Sequence, residues 1–271
     1  ITVSCRVASR RSSPPPATGA DMAGGDPPNG IPPRNHVKAS DRPLTATTAR
    51  AGTGDDPLDW LTEGAGAFRT PSRTLVGTGA ARRITVGATS GWADDVGRIS
   101  EALRRIHRSG PDHEPASGPV AFCAFPFDRR RPAVATIPLT VRGRDAHGSS
   151  WVTTLSGDDH APDPGHDPGV PPPVDAPADH PPEFRVRASL SDTEWMAKVT
   201  EMTARMAHGE LEKAVLFREL RLESDTRLVP ERLLRRLLPT APSGYVFCLD
   251  GFVGASPELL VSRIDDTVRA Q

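Results

Sequence analysis

Residues 251–260, GFVGASPELL, place a proline and a glutamate in a run that is otherwise small or apolar. A solvent-facing strand would alternate polar and apolar residues, and an unpaired buried carboxylate would be costly. Local sequence leaves two interpretations open. In one, Ser256 caps a helix that begins at Pro257, with Glu258 near the positive end of the helix dipole. In the other, the run is a strand edge where small residues let a ligand approach and the carboxylate of Glu258 points at it.

The segments upstream of this run predict an α+β domain. YVFCL, the Asp250–Gly251 turn and FVGA predict a β-hairpin over residues 245–255. PERLLRRLL, residues 230–238, predicts a short helix because a proline occupies its first turn and another proline follows it. Residues 213–222 predict a strand, and Ser191 with Glu194 forms the capping box of a preceding helix. The apolar face of that helix is Trp195, Val199, Met202 and Met206, with its end at Gly209.

The first half of the ordered region predicts strands around one helix. RTLVGTGAARRITV, residues 73–86, predicts a strand, a glycine turn and a second strand. GPVAFCAFPFD (118–128) predicts a further strand with 133–143 as its partner. The helix between them is predicted from apolar residues at helical spacing, which are Val96, Ile99, Leu103 and Ile106.

Two stretches predict no regular structure. Residues 1–55 form a Pro/Ala/Arg-rich tail that cannot bury enough apolar surface to offset its ordering entropy, so order is expected from residue 56. The arginines near its start also resemble a transit peptide, and the segment before Met22 could be upstream sequence. Residues 157–182 form a low-complexity loop rich in Pro, Asp and His. A metal site there is disfavoured, because the spacing is irregular and proline prevents a helix that would align the histidines.

The composition restricts the classes of partner and compartment. The 271 residues carry a formal net charge of −1, which favours neither nucleic acid nor an anionic membrane surface. No stretch approaches the roughly 18 apolar residues that span a bilayer. The three cysteines are far apart in sequence, which fits a reducing cytosol and argues against a disulfide framework or a zinc site. The sequence also begins with Ile1 and ends without a terminating signal, which indicates an incomplete protein.

Lys213 is the candidate base. Strand alternation would place it on one face with Val215 and Phe217. An ammonium beside apolar groups loses hydration, so its pKa falls and it becomes a usable general base. The alternative is a lysine at a strand end that extends its charge into water.

Two blocks of the sequence resemble those of a known enzyme family. LEKAVLFREL and GFVGASPELLVSR resemble the two characteristic blocks of chorismate-binding enzymes, specifically isochorismate synthases of menaquinone and siderophore pathways. GPVAFCAFPFD and the helix before Lys213 resemble further parts of that family, over about 57–156 and 183–271. The resemblance implies an α+β fold with antiparallel sheets and outer helices. It also implies that residues 56–271 are the amino-terminal part of such a domain, truncated at its carboxy-terminal half.

The resemblance also implies roles for individual residues. Lys213, in a Lys-x-Val-Leu-x-Arg block, matches the general base that deprotonates water, and Glu258 matches the general acid that protonates the departing hydroxyl of chorismate. Gly254, Ala255 and Ser256 become candidate substrate-binding residues. A Mg²⁺ cofactor is expected, with ligands beyond Gln271. Phe217 departs from the family pattern, which usually has a small residue there.

Other functions stay open from the sequence. A salicylate synthase would continue to pyruvate elimination, and an anthranilate or aminodeoxychorismate synthase would add an amine, although a lysine base favours water as the nucleophile. A rival of another class is a non-catalytic fragment that binds a partner through open sheet edges. A chain with half of a shared core is expected to be inactive and poorly soluble alone.

Overall fold

The fold is described from a computed structural model. It covers residues 43–52, 54, 56–87, 91–109, 117–126, 128, 131–157, 184–224, 226–264 and 266–270. The helices in these ranges are α1 Trp92–Arg104, α2 Asp192–Ala207 and α3 Pro230–Leu237, with 3₁₀ turns at Pro57–Trp60 and Leu238–Thr240. The strands are β1 Thr45–Arg50, β2 Gly66–Thr70, β3 Arg73–Thr78, β4 Arg82–Val86, β5 His107–Ser109, β6 Phe122–Cys123, β7 Ala133–Ile137, β8 Thr140–Asp145, β9 Ser150–Ser156, β10 Arg185–Ala188, β11 Leu220–Glu223, β12 Tyr245–Leu249, β13 Phe252–Ser256, β14 Ser262–Ile264 and β15 Thr267–Arg269.

Eight of these strands form one sheet in the order β13-β12-β2-β3-β8-β9-β1-β5. Its neighbouring strands are antiparallel, apart from the parallel pair of β1 with β5. Smaller sheets are β4-β7-β6, β10-β11 and β14-β15. The predicted α+β class with antiparallel sheets is therefore confirmed. No described helix combines the length and the apolar character that crossing a membrane requires.

One face of the large sheet packs against α3 and the first 3₁₀ turn. Val246 and Cys248 of β12 alternate inward, as strand geometry requires, and meet Leu234 of α3. Trp60 closes the same core, and the guanidinium carbon of Arg142 lies 3.2 Å from the centroid of its ring. A cation over an indole face is an attractive contact that lets an arginine lie in a buried position.

The opposite face depends on glycines that admit aromatic rings. Trp151 of β9 is buried and lies across Gly143 of β8, where an added Cβ would come within 2.2 Å of two ring carbons. Phe122 covers Gly77 in the same way, at 2.6 Å from the position of an added Cβ. Only glycine lets the rings approach the backbone this closely.

Polar contacts join α3, and the residues that follow it, to residues 58–69. The buried carboxylate of Glu231 accepts a hydrogen bond from the Gly64 N–H at 2.7 Å. Arg235 donates to the carbonyl of Leu58 at 2.6 Å, and Arg69 donates to the carbonyl of Pro242 at 2.7 Å. These bonds connect segments more than 160 residues apart in the chain, alongside the β2–β12 ladder.

The predicted boundaries need correction in the first half of the chain. The tail predicted over 1–55 is wrong for β1, which pairs with both β9 and β5. The rest of the tail, up to residue 42, and the predicted loop from residue 158 onward lie outside the described residues. The strand predicted over 118–128 is reduced to β6, which does pair with β7 as expected. The partner segment 133–143 is broken at Pro138, which has no N–H for a ladder bond.

The predicted face of α1 is also wrong in part. Val96 is 49% exposed, whereas Ala102 and Ile106 are buried under the sheet edge. Asp95 occupies a buried position of the helix instead, where it accepts a hydrogen bond from the Gly87 N–H at 2.9 Å. The two strands predicted over 73–86 form, but β3 joins the large sheet and β4 pairs with β7.

Substitution of Gly143 by alanine tests the packing under Trp151. The added methyl would overlap the indole ring, and we expect Gly143→Ala to lower the free energy of unfolding by about 1–3 kcal/mol, as overpacking does. Gly97→Ala is the matched control, because this α1 position has no heavy atom within 4 Å of an added Cβ. Alanine there should raise stability by up to about 1 kcal/mol. Urea titration of both variants measures this, and equal stability of the two would contradict the packing described.

The thiol of Cys248 gives a second test of the α3 core. Burial, with a smaller effect of the Glu231 charge, raises its pKa from 9.0 to about 12. We expect the folded protein to resist a thiol reagent at pH 8 at this position, while the unfolded chain reacts. Between pH 9 and 12 the unfolded thiol ionises and the folded one does not, so stability should fall as pH rises through this window. Reaction of Cys248 in the folded protein as fast as in denaturant would contradict the burial.

Candidate functional site

The hairpin of β12 and β13 carries three of the predicted site residues. Its turn places Asp250 at φ 49° and Gly251 at φ 82°, the left-handed pair that a two-residue hairpin turn requires. Register pairs Phe247 with Gly254, Val246 with Ala255 and Tyr245 with Ser256. The predicted hairpin is confirmed, and it fixes the backbone of Gly254–Ser256 in the large sheet.

The packing of this hairpin explains its small residues. An added Cβ at Gly254 would lie 2.5 Å from the ring of Phe247, which stacks at 5.1 Å between centroids with Phe252. The side chain of Ala255 packs against the core beneath α3. The packing of the hairpin therefore requires glycine at position 254, and a role of Gly254 and Ala255 in substrate binding stays a prediction.

Glu258 follows this hairpin in a local turn. The hydroxyl of Ser256 accepts a hydrogen bond from the Glu258 N–H at 3.2 Å and donates to the Glu258 carbonyl at 3.0 Å. Residues 257–261 contain no helix, so the interpretation of Ser256 as a helix cap is wrong. The chain bends at Pro257 and at Leu260 and enters β14 at Ser262.

The side chain of Glu258 is exposed. The apolar side chains of Leu260 and Val261 after it are also exposed, at 88% and 55%. Within the described ranges the carboxylate therefore faces solvent. An acid that stays protonated near neutral pH needs burial, which substrate or further polypeptide would have to supply.

Lys213 lies outside any strand. The strand predicted over 213–222 is wrong for its first seven residues, and only the last part enters β11. Val215 and Phe217 are 81% and 83% exposed, so the apolar face expected beside Lys213 does not enclose it. Lys213 is itself exposed.

Helix α2 runs immediately before the Lys213 segment, which we define as residues 211–217. The predicted capping box is confirmed: the Ser191 hydroxyl accepts from the Glu194 N–H at 3.2 Å, and the Glu194 carboxylate accepts from the Ser191 N–H at 2.8 Å. Hydrogen bonds from Ser191 lower the pKa of Glu194. The predicted stop is confirmed at Gly209, which has φ 76°. No described residue of α2 is fully buried, so its apolar face stays partly open.

The two proposed catalytic residues lie next to strands of different sheets. Lys213 leads into β11, which pairs with β10, whereas Glu258 follows β13 of the eight-stranded sheet. Among the described residues, no three His, Cys, Asp or Glu side chains are close enough to hold a metal ion. The described residues therefore do not fit the Mg²⁺ that the resemblance implies.

The contacts of Arg218 were not predicted from the sequence. Arg218 donates hydrogen bonds to the Leu190 carbonyl and to the Asp192 carboxylate at the start of α2. Its position five residues after Lys213 was the available signal, but a strand interpretation of the whole segment gave it no specific partner. The contact joins the Lys213 segment to the helix that precedes it.

Comparison with known proteins bears on both regions. A family model described as "Chorismate binding enzyme" matches residues 173–271. Isochorismate synthase DhbC of Bacillus subtilis is 30% identical over 185 residues, which cover 64% of this chain and 39% of DhbC. Isochorismate synthase MenF of the same organism is 35% identical over 83 residues, covering 29% of this chain and 18% of MenF. The chain thus spans less than two fifths of the length of these relatives.

A crystal structure of DhbC from Bacillus anthracis is also similar. It is 21% identical with a TM-score of 0.48, over 77% of this chain and 49% of that one. The family match is more informative, because it contains both the segment of Lys213 and the run ending at Glu258. Residues 173–271 of this chain are similar to chorismate-binding enzymes.

Proposed function

We propose that the full-length protein is an isochorismate synthase, which converts chorismate into isochorismate by adding water at one ring carbon and losing the hydroxyl from another. The observation that carries this proposal is the family match over 173–271, which includes both Lys213 and Glu258. The names of the relatives DhbC and MenF support isochorismate as the product. The product would feed menaquinone or siderophore synthesis, a choice that these two relatives leave open.

In the proposed mechanism the two groups act on opposite sides of one ring. The Nζ of Lys213 takes a proton from the attacking water, and the carboxyl of Glu258 gives a proton to the departing hydroxyl, so the net proton count is unchanged. Both groups must be removed from bulk water. Burial helps the amine of Lys213 to lose its proton and the carboxyl of Glu258 to keep its proton. Because both groups are exposed among the described residues, we propose that bound chorismate and further polypeptide enclose them.

The resemblance also leads us to propose a Mg²⁺ requirement. When bound, the ion would offset the negative charge of the substrate carboxylates. Its ligands are not offered by the described residues, and no step above depends on it.

A binding function without catalysis is the rival from another class. The observation in its favour is the exposure of three apolar side chains in β10 and in the Lys213 segment, with Val186 at 59%, Val215 at 81% and Phe217 at 83%. Apolar side chains mark an interaction surface where they are exposed as one patch. Turnover of chorismate by the full-length protein would exclude this rival as the sole function.

Replacement of Lys213 by alanine tests the base. We expect Lys213→Ala to lower kcat by about 10²–10⁴-fold, because proton transfer from water is lost, while chorismate binding is largely kept. Lys198→Ala is the matched control, since Lys198 is an exposed lysine of the neighbouring helix α2. Steady-state kinetics with chorismate measure both variants. A kcat of Lys213→Ala within twofold of the control would refute the base assignment.

Replacement of Glu258 by glutamine tests the acid. An amide cannot supply the proton, so Glu258→Gln should bind chorismate yet lose about 10²–10⁴-fold in kcat. Glu258→Asp should retain a trace of activity, because its carboxyl group is present but one methylene short. Glu201→Gln on α2 is the control for loss of an exposed carboxylate. Unchanged turnover of Glu258→Gln, with unchanged melting temperature, would show that the carboxyl is not the acid.

A further inference from the structure

The Lys213 segment is attached to α2 at both of its ends. Before it, the Arg205 Nε pairs with the Glu210 carboxylate at 2.9 Å, and the Glu210 N–H donates to the Arg205 carbonyl at 3.0 Å. After it, one terminal nitrogen of Arg218 donates to the Leu190 carbonyl at 2.8 Å and to the Asp192 carboxylate at 2.7 Å. The segment therefore runs back along the helix, from its last turn to its first.

The attachment after the segment is the more extensive one. Beside the two bonds of Arg218, the Ser189 N–H donates to the Glu219 carbonyl at 2.9 Å, and the Glu219 N–H donates to the Ser189 hydroxyl at 3.3 Å. The antiparallel ladder of β10 with β11 continues from there. Between the two attachments, residues 211–217 belong to no helix or strand.

We propose that Arg218 is a positioning residue for Lys213. The proposal rests on the function proposed above, because it assigns Lys213 the role of base. An amine must approach its proton within a hydrogen-bond distance, and a misplacement of about 1 Å can cost on the order of 10²-fold in rate. A segment without ladder bonds owes its position to the anchors at its ends, and Arg218 holds one of them.

The exposure of the two partners indicates what the contact contributes. The side chain of Arg218 is 24% exposed, whereas that of Asp192 is 91% exposed. An ion pair with one partner in solvent adds little stability. One terminal nitrogen of Arg218 binds both a carbonyl and a carboxylate, and this fixes the orientation of the chain at Arg218. Lysine is a point charge on a flexible stem and does not reproduce this geometry. Loss of Arg218 should therefore affect rate more than stability.

The experiment compares Arg218→Met with Arg187→Met in the full-length protein. Arg187 pairs with Glu223 at 3.6 Å in the β10–β11 sheet, so its loss removes an exposed ion pair of the same region without touching Arg218. We expect Arg218→Met to lower kcat about tenfold or more, with KM within about twofold and the acidic limb of the pH profile displaced. Arg218→Lys should recover only part of the rate. Arg187→Met should stay within about twofold in kcat.

A second measurement, NMR of the methylated lysine amines, reports on the surroundings of Lys213 and does not depend on enzyme activity. ¹³C-methylation of the lysine amines gives NMR signals for Lys213 and for Lys198 of α2. The Lys213 signal is identified by its absence in Lys213→Arg. In Arg218→Met the Lys213 signal should change in chemical shift, whereas the Lys198 signal should not, and in the Arg187→Met control neither signal should change.

The two measurements separate the possible failures. If the unsubstituted protein does not convert chorismate but the Lys213 signal responds to Arg218→Met, the proposed function is wrong and the attachment of Lys213 by Arg218 stands. If folded Arg218→Met matches Arg187→Met in kcat and in the Lys213 signal, the positioning proposal is overturned. Should Arg218→Met fail to fold, Asp192→Ala carries the same comparison: a displaced Lys213 signal supports the proposal and an unchanged one overturns it.

Discussion

The pairing of β2 with β12 is the contact on which the candidate site depends. It sets Ala67 against Cys248 and Phe68 against Phe247, and so joins strands that are more than 170 residues apart in the chain. Closing so long a loop costs conformational entropy, which apolar burial must offset. The core beneath α3 supplies that burial on one face of the pair. The Glu231–Gly64 and Arg235–Leu58 hydrogen bonds fix the helix over it.

The segments that carry the two proposed catalytic groups are held in place by different kinds of contact. Glu258 follows a hairpin whose inner face is part of the main core, so its backbone inherits the rigidity of the large sheet. Lys213 lies on a segment held by surface hydrogen bonds and ion pairs, on a helix with no fully buried residue among those described. Local stability follows buried contacts, so the lysine side of the proposed site should be the more mobile one.

Local chemistry was enough to predict the elements that carry their own signals. The capping box of Ser191, the proline start of α3 and the Asp250–Gly251 turn each depend on a few adjacent residues, and all three are found. Elements that depend on a distant partner were less predictable. β1 has the sequence TATTAR, with little apolar pattern. It forms because its two edges pair with β9 and with β5. The residues from Lys213 to Glu219 have strand composition, but strand pairing begins only at Leu220. The same limit applies to Glu258, whose surroundings no local pattern could specify.

The most direct test of this account is the fate of water oxygen during turnover of chorismate by the full-length protein. In H₂¹⁸O, addition of water and loss of the original hydroxyl should give isochorismate with one ¹⁸O, located in its ring hydroxyl. Isochorismate without the label, or no conversion of chorismate by the folded protein, would contradict the proposed reaction.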